Sequence, residues 1–433
     1  MRVGVYSDMV FRREEAALST DKAFIRLVTA LAPRVGEVVL FGRLAPEPDR
    51  GPYLIPEDHI RFVALPYYPR ATRLGVLAAS LPRSLRTFAA ELESLDAVVV
   101  FGPHPVALAF ALLARRAGVP LVIGVRHDYP EYVRHRLPGR GWSWAVPAAR
   151  AVDAAFRRLA RTAPAIVVGP ELARRYAGGA DVLEAGVSLV PAREVVTPER
   201  ALAKDWSGEL RCLSVGRLAA EKNPLLLVET LATLRRLNPR WRLVVAGEGP
   251  LRPALEAAIA QEALGSAVAL MGEVPNGPRL WELYRSSHAF LHVSLTEGLP
   301  QVLVEAQAAG LPVVATDVGG VGAVIGSGAR GLLIPPRDSS AAAHALERLA
   351  ADPELRRRLV LAGIAHAHGQ TLEAQLDELT AFISRAARPS ATPRRSQRRR
   401  EQRAARSNAR TQVTGRARRS HTRAGRGTAS RPG

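Results

Sequence analysis

Between residues 214 and 321 the sequence sets out four groups of residues able to act on an anionic ligand. The run S-V-G-R-L-A-A-E-K-N carries Gly216, Arg217 and Lys222 directly after a strand-like segment. A loop at that strand's carboxyl end can aim both cations at one anion. V-V-A-G-E-G-P-L-R (residues 244–252) reads as a strand, a glycine turn at Gly247 and a helix opened by Pro250. S-L-T-E-G-L-P-Q-V-L-V-E-A-Q-A-A-G (294–310) holds Glu297 and Glu305 with seven residues between them, and T-D-V-G-G-V (316–321) adds a strand-end glycine pair. Each piece has an ordinary reading by itself. A strand-end Arg and Lys often cap a helix, G-E-G lacks the third glycine of a dinucleotide motif, and paired glutamates often share a solvated helix face. Together, in this order, they fall at the ligand-binding end of one parallel sheet.

Spacing bears on what the glutamates do. Eight helical residues separate them by ~12 Å, whereas a hydrolytic acid pair flanking one glycosidic bond stands about 5–9.5 Å apart. An elongated ligand held at two points suits the longer distance. Pro300 favours a first helical turn, which places Gly298, Leu299, Pro300 and Gln301 around a helix N-terminus suited to a phosphate or a sugar hydroxyl.

The elements that must hold these residues follow from the apolar pattern. Continuous Val/Ile/Leu runs separated by helical-period segments imply parallel strands covered on both faces. In the first half, strands are expected at 2–7, 37–44, 60–66, 97–102, 121–126, 165–170 and 181–185. In the second half they are expected at 210–216, 242–247, 267–272, 289–294, 312–317 and 331–335. The expected organisation is α/β: a first Rossmann-like domain over 1–190, an aperiodic linker over 191–208 and a second domain over 209–370. A helix at 371–387 should return to the first domain. Residues 388–433 are nearly devoid of apolar residues and are expected to be disordered. Two doubly wound domains would face each other across a cleft.

Residues 210–338 resemble the donor-binding domain of GT-B glycosyltransferases, specifically the retaining family of GT4 type. Their G-R-x-x-x-E-K, G-E-G-P and E-x7-E features appear in that family's order. The resemblance implies a metal-independent sugar transfer from a nucleoside diphosphate sugar, UDP- or GDP-linked, with no further cofactor. It implies that Arg217 and Lys222 grip the diphosphate, beside Gly216 and Gly247. Glu305 would bind the ribose, Glu297 with Gly298, Leu299 and Pro300 the transferred sugar, and Val274 would lie near the base. In the first half, His127 in L-V-I-G-V-R-H-D would lie near the reacting sugar, with His104 in G-P-H-P as a second candidate. The family's glycine pair after the first strand is replaced here by Y-S-D-M-V-F-R-R, on the side expected to take the acceptor, a glycan, lipid or small molecule. No D-x-D triplet occurs in the chain, so two cations and a helix N-terminus, rather than a metal, would stabilise the departing diphosphate. An epimerase acting on nucleotide sugars is the alternative on the same architecture.

Charge and composition narrow the remaining classes. The net charge is +20, but residues 385–433 hold sixteen arginines and one acid, leaving +5 for the first 384. With only three lysines (Lys22, Lys204, Lys222) among 60 basic residues, the arginine excess reads as compositional bias. Nucleic-acid binding through the tail is therefore the weaker reading. One cysteine excludes an internal disulfide. No leader or membrane span is read, which gives the expectation of a cytoplasmic protein. Arginines 70, 73, 83 and 86, and the stretch 134–161 with Trp142 and Trp144, offer a peripheral contact to the inner face of the plasma membrane.

Overall fold

The computed structural model describes residues 1–388 apart from 48, 70–72, 137–139 and 187. The first sheet contains β1 (Arg2–Glu14), β2 (Ala17–Thr20), β3 (Glu37–Leu44), β4 (Tyr53–Leu54), β5 (Ile60–Leu65), β6 (Ala97–Gly102), β7 (Leu121–Val125), β8 (Ala165–Val167) and β9 (Val182–Glu184). Its parallel strands run in the order β5-β3-β1-β6-β7-β8-β9, with β2 and β4 added antiparallel beyond the far half of β1. The second sheet, all parallel, contains β10 (Leu210–Val215), β11 (Trp241–Ala246), β12 (Val268–Leu270), β13 (Ala289–His292), β14 (Val313–Thr316) and β15 (Leu332–Ile334). Its order is β12-β11-β10-β13-β14-β15.

In both sheets the first strand is central. The chain builds outward on one side of β1 and of β10, then returns to the other side with β6 and with β13. That reversal opens a crevice at the carboxyl ends of β1/β6 and of β10/β13. Strands such as β7, buried at every residue, need helices on both faces. The helix Leu372–Ala387 supplies one cover for the first sheet, placing Leu376, Leu379, Phe382 and Ile383 in the cluster that contains Val5, Leu27, Val99 and Ile166.

Two segments differ from the sequence reading. β1 does not stop at Ser7: its pairing with β3 shifts register between Tyr6 and Val10, and it continues because Met9 and Phe11 are buried. Polar Ser7-Asp8 reads as a strand end, whereas it occupies a bulge. The expected linker is structured: Val195 packs on the second domain's core, Val196 donates its N–H to Ala308 O at 2.8 Å, and Pro198–Leu202 is helical. Pro and charge obscured a segment held by packing rather than by periodicity. Arg70 and the tail from residue 389 lie outside the described residues, so the expectation of a disordered tail does too.

Candidate functional site

The crevice of the second sheet is lined by Gly216, Arg217 and Lys222 from the loop after β10, and by His292 and Ser294 at the end of β13. Backbone contact holds these loops close. A Cβ on Gly247 would stand 1.8 Å from Gly216 O, so only glycine lets the β11 turn seat there, and its φ of +158° suits it. Leu295 N donates to Glu221 O at 2.8 Å, tying the loop before Glu297 to the loop that carries Lys222. Behind it, a Cβ on Gly320 would meet Gly298 O at 1.8 Å, which explains the glycine pair at 319–320. At Gly298 an added Cβ would meet nothing, so open space lies in front of that residue.

The two glutamates enter separate networks. Glu297 lies in the loop ahead of the helix Gln301–Ala308, for which Pro300 is the N-cap. Its Oε1 accepts a hydrogen bond from Lys222 Nζ and lies 2.9 Å from His292 Nε2. Only 9% of the Glu297 side chain is exposed. Burial alone would raise its pKa, but His292 and Lys222 more than offset that and hold it down at about 2. Glu297 is a carboxylate at every ordinary pH. Glu305, inside the helix, is 6% exposed; its Oε2 accepts from Tyr284 OH at 2.7 Å and its Oε1 from Asn276 Nδ2 at 3.1 Å. Burial raises the Glu305 pKa against the lowering by Tyr284 and Asn276. Arg217 is 63% exposed and pairs with Glu221 at 2.8 Å, a surface contact worth little in stability and cheap to exchange for a ligand.

Contacts between the domains bring the carboxyl ends of the two sheets face to face. Arg26 of the first domain donates to Asn276 O at 3.0 Å and to its Oδ1, while Asn276 N donates to Tyr53 OH at 2.9 Å. Leu299 packs toward Gly169, just beyond β8, with Cγ 3.1 Å from where a Cβ there would lie. Val274 is partly buried against the second domain's core beside this loop.

His127 stands in the first domain with its ring 4.7 Å from that of Tyr132 and 6.4 Å from that of Tyr129. Its ring is reachable by solvent, yet the mass of protein around it, then Arg126 beside it, lowers its pKa to about 4. The ring is therefore neutral. The structure thus joins Gly216, Arg217, Lys222, Gly247, Glu297 and Gly298 in one crevice. It sets Glu305 behind Asn276, Val274 beside that loop, and His127 on the opposite domain. Sequence reasoning missed His292, Asn276 and Tyr284. The signal for His292 was available: a polar residue ending the apolar run A-F-L-H-V. Among the described residues no group of three or more His, Cys, Asp or Glu gathers as a metal site, and no helix is long and apolar enough to cross a membrane.

Comparison with known proteins decides the family. Residues 203–366 match the model for glycosyl transferases group 1, and residues 22–193 that for a glycosyl transferase 4-like domain. The chain is 32% identical over 348 residues to a GDP-mannose-dependent alpha-mannosyltransferase of Mycobacterium tuberculosis, covering 74% of this chain and 81% of that protein. The chain belongs to the glycosyl transferases group 1 family, of GT4 type. Other curated relatives are matched over less of their length. The chain spans 38% of an alpha-D-kanosaminyltransferase of Streptomyces kanamyceticus at 38% identity, over 34% of its own length. It spans 49% of a D-inositol 3-phosphate glycosyltransferase of Stackebrandtia nassauensis at 34% identity, over 50% of its own length. Among solved structures, sucrose-phosphate synthase of Thermosynechococcus elongatus superposes with a TM-score of 0.67 at 20% identity, over 89% of this chain and 98% of that one. HepE of Anabaena in complex with UDP gives 0.64 at 17%, over 89% and 100%. The group 1 chain therefore has the GT-B fold: two Rossmann-like domains facing across a cleft.

Proposed function

We propose that the protein transfers a hexose-type sugar from a nucleoside diphosphate sugar to an acceptor held by its first domain, with retention and without metal. The observation that carries this reading is the crevice between β10 and β13, which Arg217 and Lys222 both line beside Gly216 and the glycine turn at 247. A diphosphate lying there meets two cations and close backbone, which stabilises the negative charge that grows as the sugar–phosphate bond breaks. Lys222 already pairs with Glu297, so it is poised between that carboxylate and the incoming phosphate. Glu297, beside the open space at Gly298, accepts hydroxyls of the transferred sugar. Retention leaves the departing phosphate on the face that the acceptor attacks, so that it shields and deprotonates the incoming hydroxyl.

The relative named for GDP-mannose and the HepE complex with UDP support a UDP- or GDP-sugar as donor. Thermal shift with UDP, GDP and ADP, followed by NMR of the product anomer, tests the reading. The expected result is stabilisation by UDP or GDP and a product that keeps the donor's configuration; an inverted product would contradict it.

In this reading Glu305 binds the ribose, and the Asn276 amide now occupies one of its oxygens. Arg26 and Tyr53 hold Asn276 in place, so donor entry requires that loop to shift. Arg26→Ala is expected to strengthen nucleoside diphosphate binding about fivefold, because the covering loop is freed. Calorimetry checks this, and unchanged or weaker binding would show that Asn276 does not cover the ribose site.

A further inference from the structure

The first sheet has a crevice of its own, between the carboxyl ends of β1 and β6, and the bulge in β1 turns Asp8 into it. Asp8 Oδ1 is fully engaged. Tyr68 OH donates to it at 2.6 Å, Tyr6 OH at 3.5 Å, and Arg43 Nε lies 3.0 Å away. Arg43 is 8% exposed, bonded to Tyr68 O and stacked 4.2 Å from the Tyr68 ring, while its Nε faces Asp8 without closing a hydrogen bond. The other oxygen, Oδ2, faces His104 Nε2 at 3.4 Å without a hydrogen bond closing between them.

His104 N-caps the helix Pro105–Arg116, its Nδ1 accepting from Val106 N at 3.3 Å. That contact makes Nδ1 the acceptor and leaves the proton on Nε2. Burial first, then Arg43, lower the His104 pKa against the pull of Asp8, so the ring is neutral. It is 9% exposed, and its Nε2–H is a buried donor without a partner, an arrangement that costs free energy until a ligand or water fills it. Burial and then the charge of Asp8 push the Tyr129 phenol up to about 12. A free carboxylate oxygen and a free imidazole N–H thus stand together at the switch point of the first sheet. A hydroxyl group can donate to the first while accepting from the second. A phosphate or carboxylate would meet the Asp8 carboxylate, and the cation beside it, Arg43, is already paired with that carboxylate.

We infer that Asp8 Oδ2 and His104 Nε2 form a hydroxyl-binding subsite for a neutral polyol, the acceptor of the proposed transfer. The inference rests on that reading for the word acceptor, but not for the binding itself. Its position agrees: the Arg26–Asn276 and Gly169–Leu299 contacts turn this end of the first sheet toward the second domain's crevice.

The test uses the full chain and saturation-transfer NMR, with myo-inositol and methyl α-mannoside as neutral probes and D-inositol 3-phosphate as the anionic probe. UDP and GDP binding is measured in parallel on every variant. The expected result is that a neutral probe binds better than the phosphate, and that Asp8→Asn weakens it about tenfold while nucleotide affinity holds. His104→Asn keeps an oxygen to cap the helix but removes Nε2–H; it should weaken the probe similarly without lowering Tm. The inference is overturned if no neutral probe binds, if the phosphate is preferred, or if both variants bind the probe as wild type does. Loss of nucleotide binding in wild type, with polyol binding intact, would instead count against the donor reading alone.

Discussion

Lys222→Ala is expected to reduce nucleoside diphosphate affinity by about 1.5–3 kcal/mol, roughly 10- to 150-fold, with turnover falling at least as far. Two effects add. The diphosphate loses a charge-assisted hydrogen bond in a half-buried crevice. Glu297, 9% exposed, loses its cation and is left beside His292 alone, so the site presents a bare carboxylate to an incoming anion. The second effect predicts that Lys222→Ala with Glu297→Gln binds nucleotide better than Lys222→Ala by itself. The pair also carries a pH signature. Because the folded Glu297 pKa is depressed to about 2 from the ordinary carboxylate value of 4.5, its stabilising contribution is fully present above about 4.5. It is lost as pH falls through 2, and amounts to up to about 3 kcal/mol. Urea unfolding of wild type should show that decline, and Glu297→Gln should flatten it.

Glu305→Gln is the second large effect. Glutamine preserves shape but replaces one oxygen with a donor, which confronts the Tyr284 hydroxyl or the Asn276 amide and, in the proposed reading, weakens acceptance from the ribose hydroxyls. Donor affinity is expected to fall by about 1.5–3 kcal/mol, with a smaller loss in Tm from the mispaired buried group. The Glu305 pKa moves the opposite way from that of Glu297, upward through burial. On acidification, Glu305 therefore protonates first, and donor KM should rise at a pH where Glu297 is still ionised. A donor KM that stays flat until Glu297 titrates would place the ribose elsewhere.

The second domain was the more legible half because its chemistry and its fold leave the same trace. Parallel strands buried on both faces appear as unbroken Val/Ile/Leu runs, and each run ends where a glycine or charged loop must begin. Lys222, Gly247 and Glu297 sit at those ends. Asn276 and Tyr284 were not legible: their meaning depends on which oxygen of Glu305 each one meets, and no periodicity encodes that. In the first domain, Ser7-Asp8 interrupts an apolar run, and polarity within a run reads as a turn. The bulge that turns Asp8 into the crevice arises from pairing with β3 and from burial of Met9 and Phe11, both tertiary facts. His104 was visible at a strand end, but its partner on β1 was not, since nearly a hundred residues separate them.

The central claim is that the crevice between β10 and β13 holds a diphosphate by means of side-chain cations in place of a metal. Calorimetric titration of UDP and GDP in the presence of a chelator, on wild type and on Arg217→Ala/Lys222→Ala, tests it most directly. The account predicts that one of the two nucleotides binds wild type equally well with and without chelator, and that the double variant loses that binding. Binding that requires a divalent cation, or that survives removal of both side chains, would contradict it.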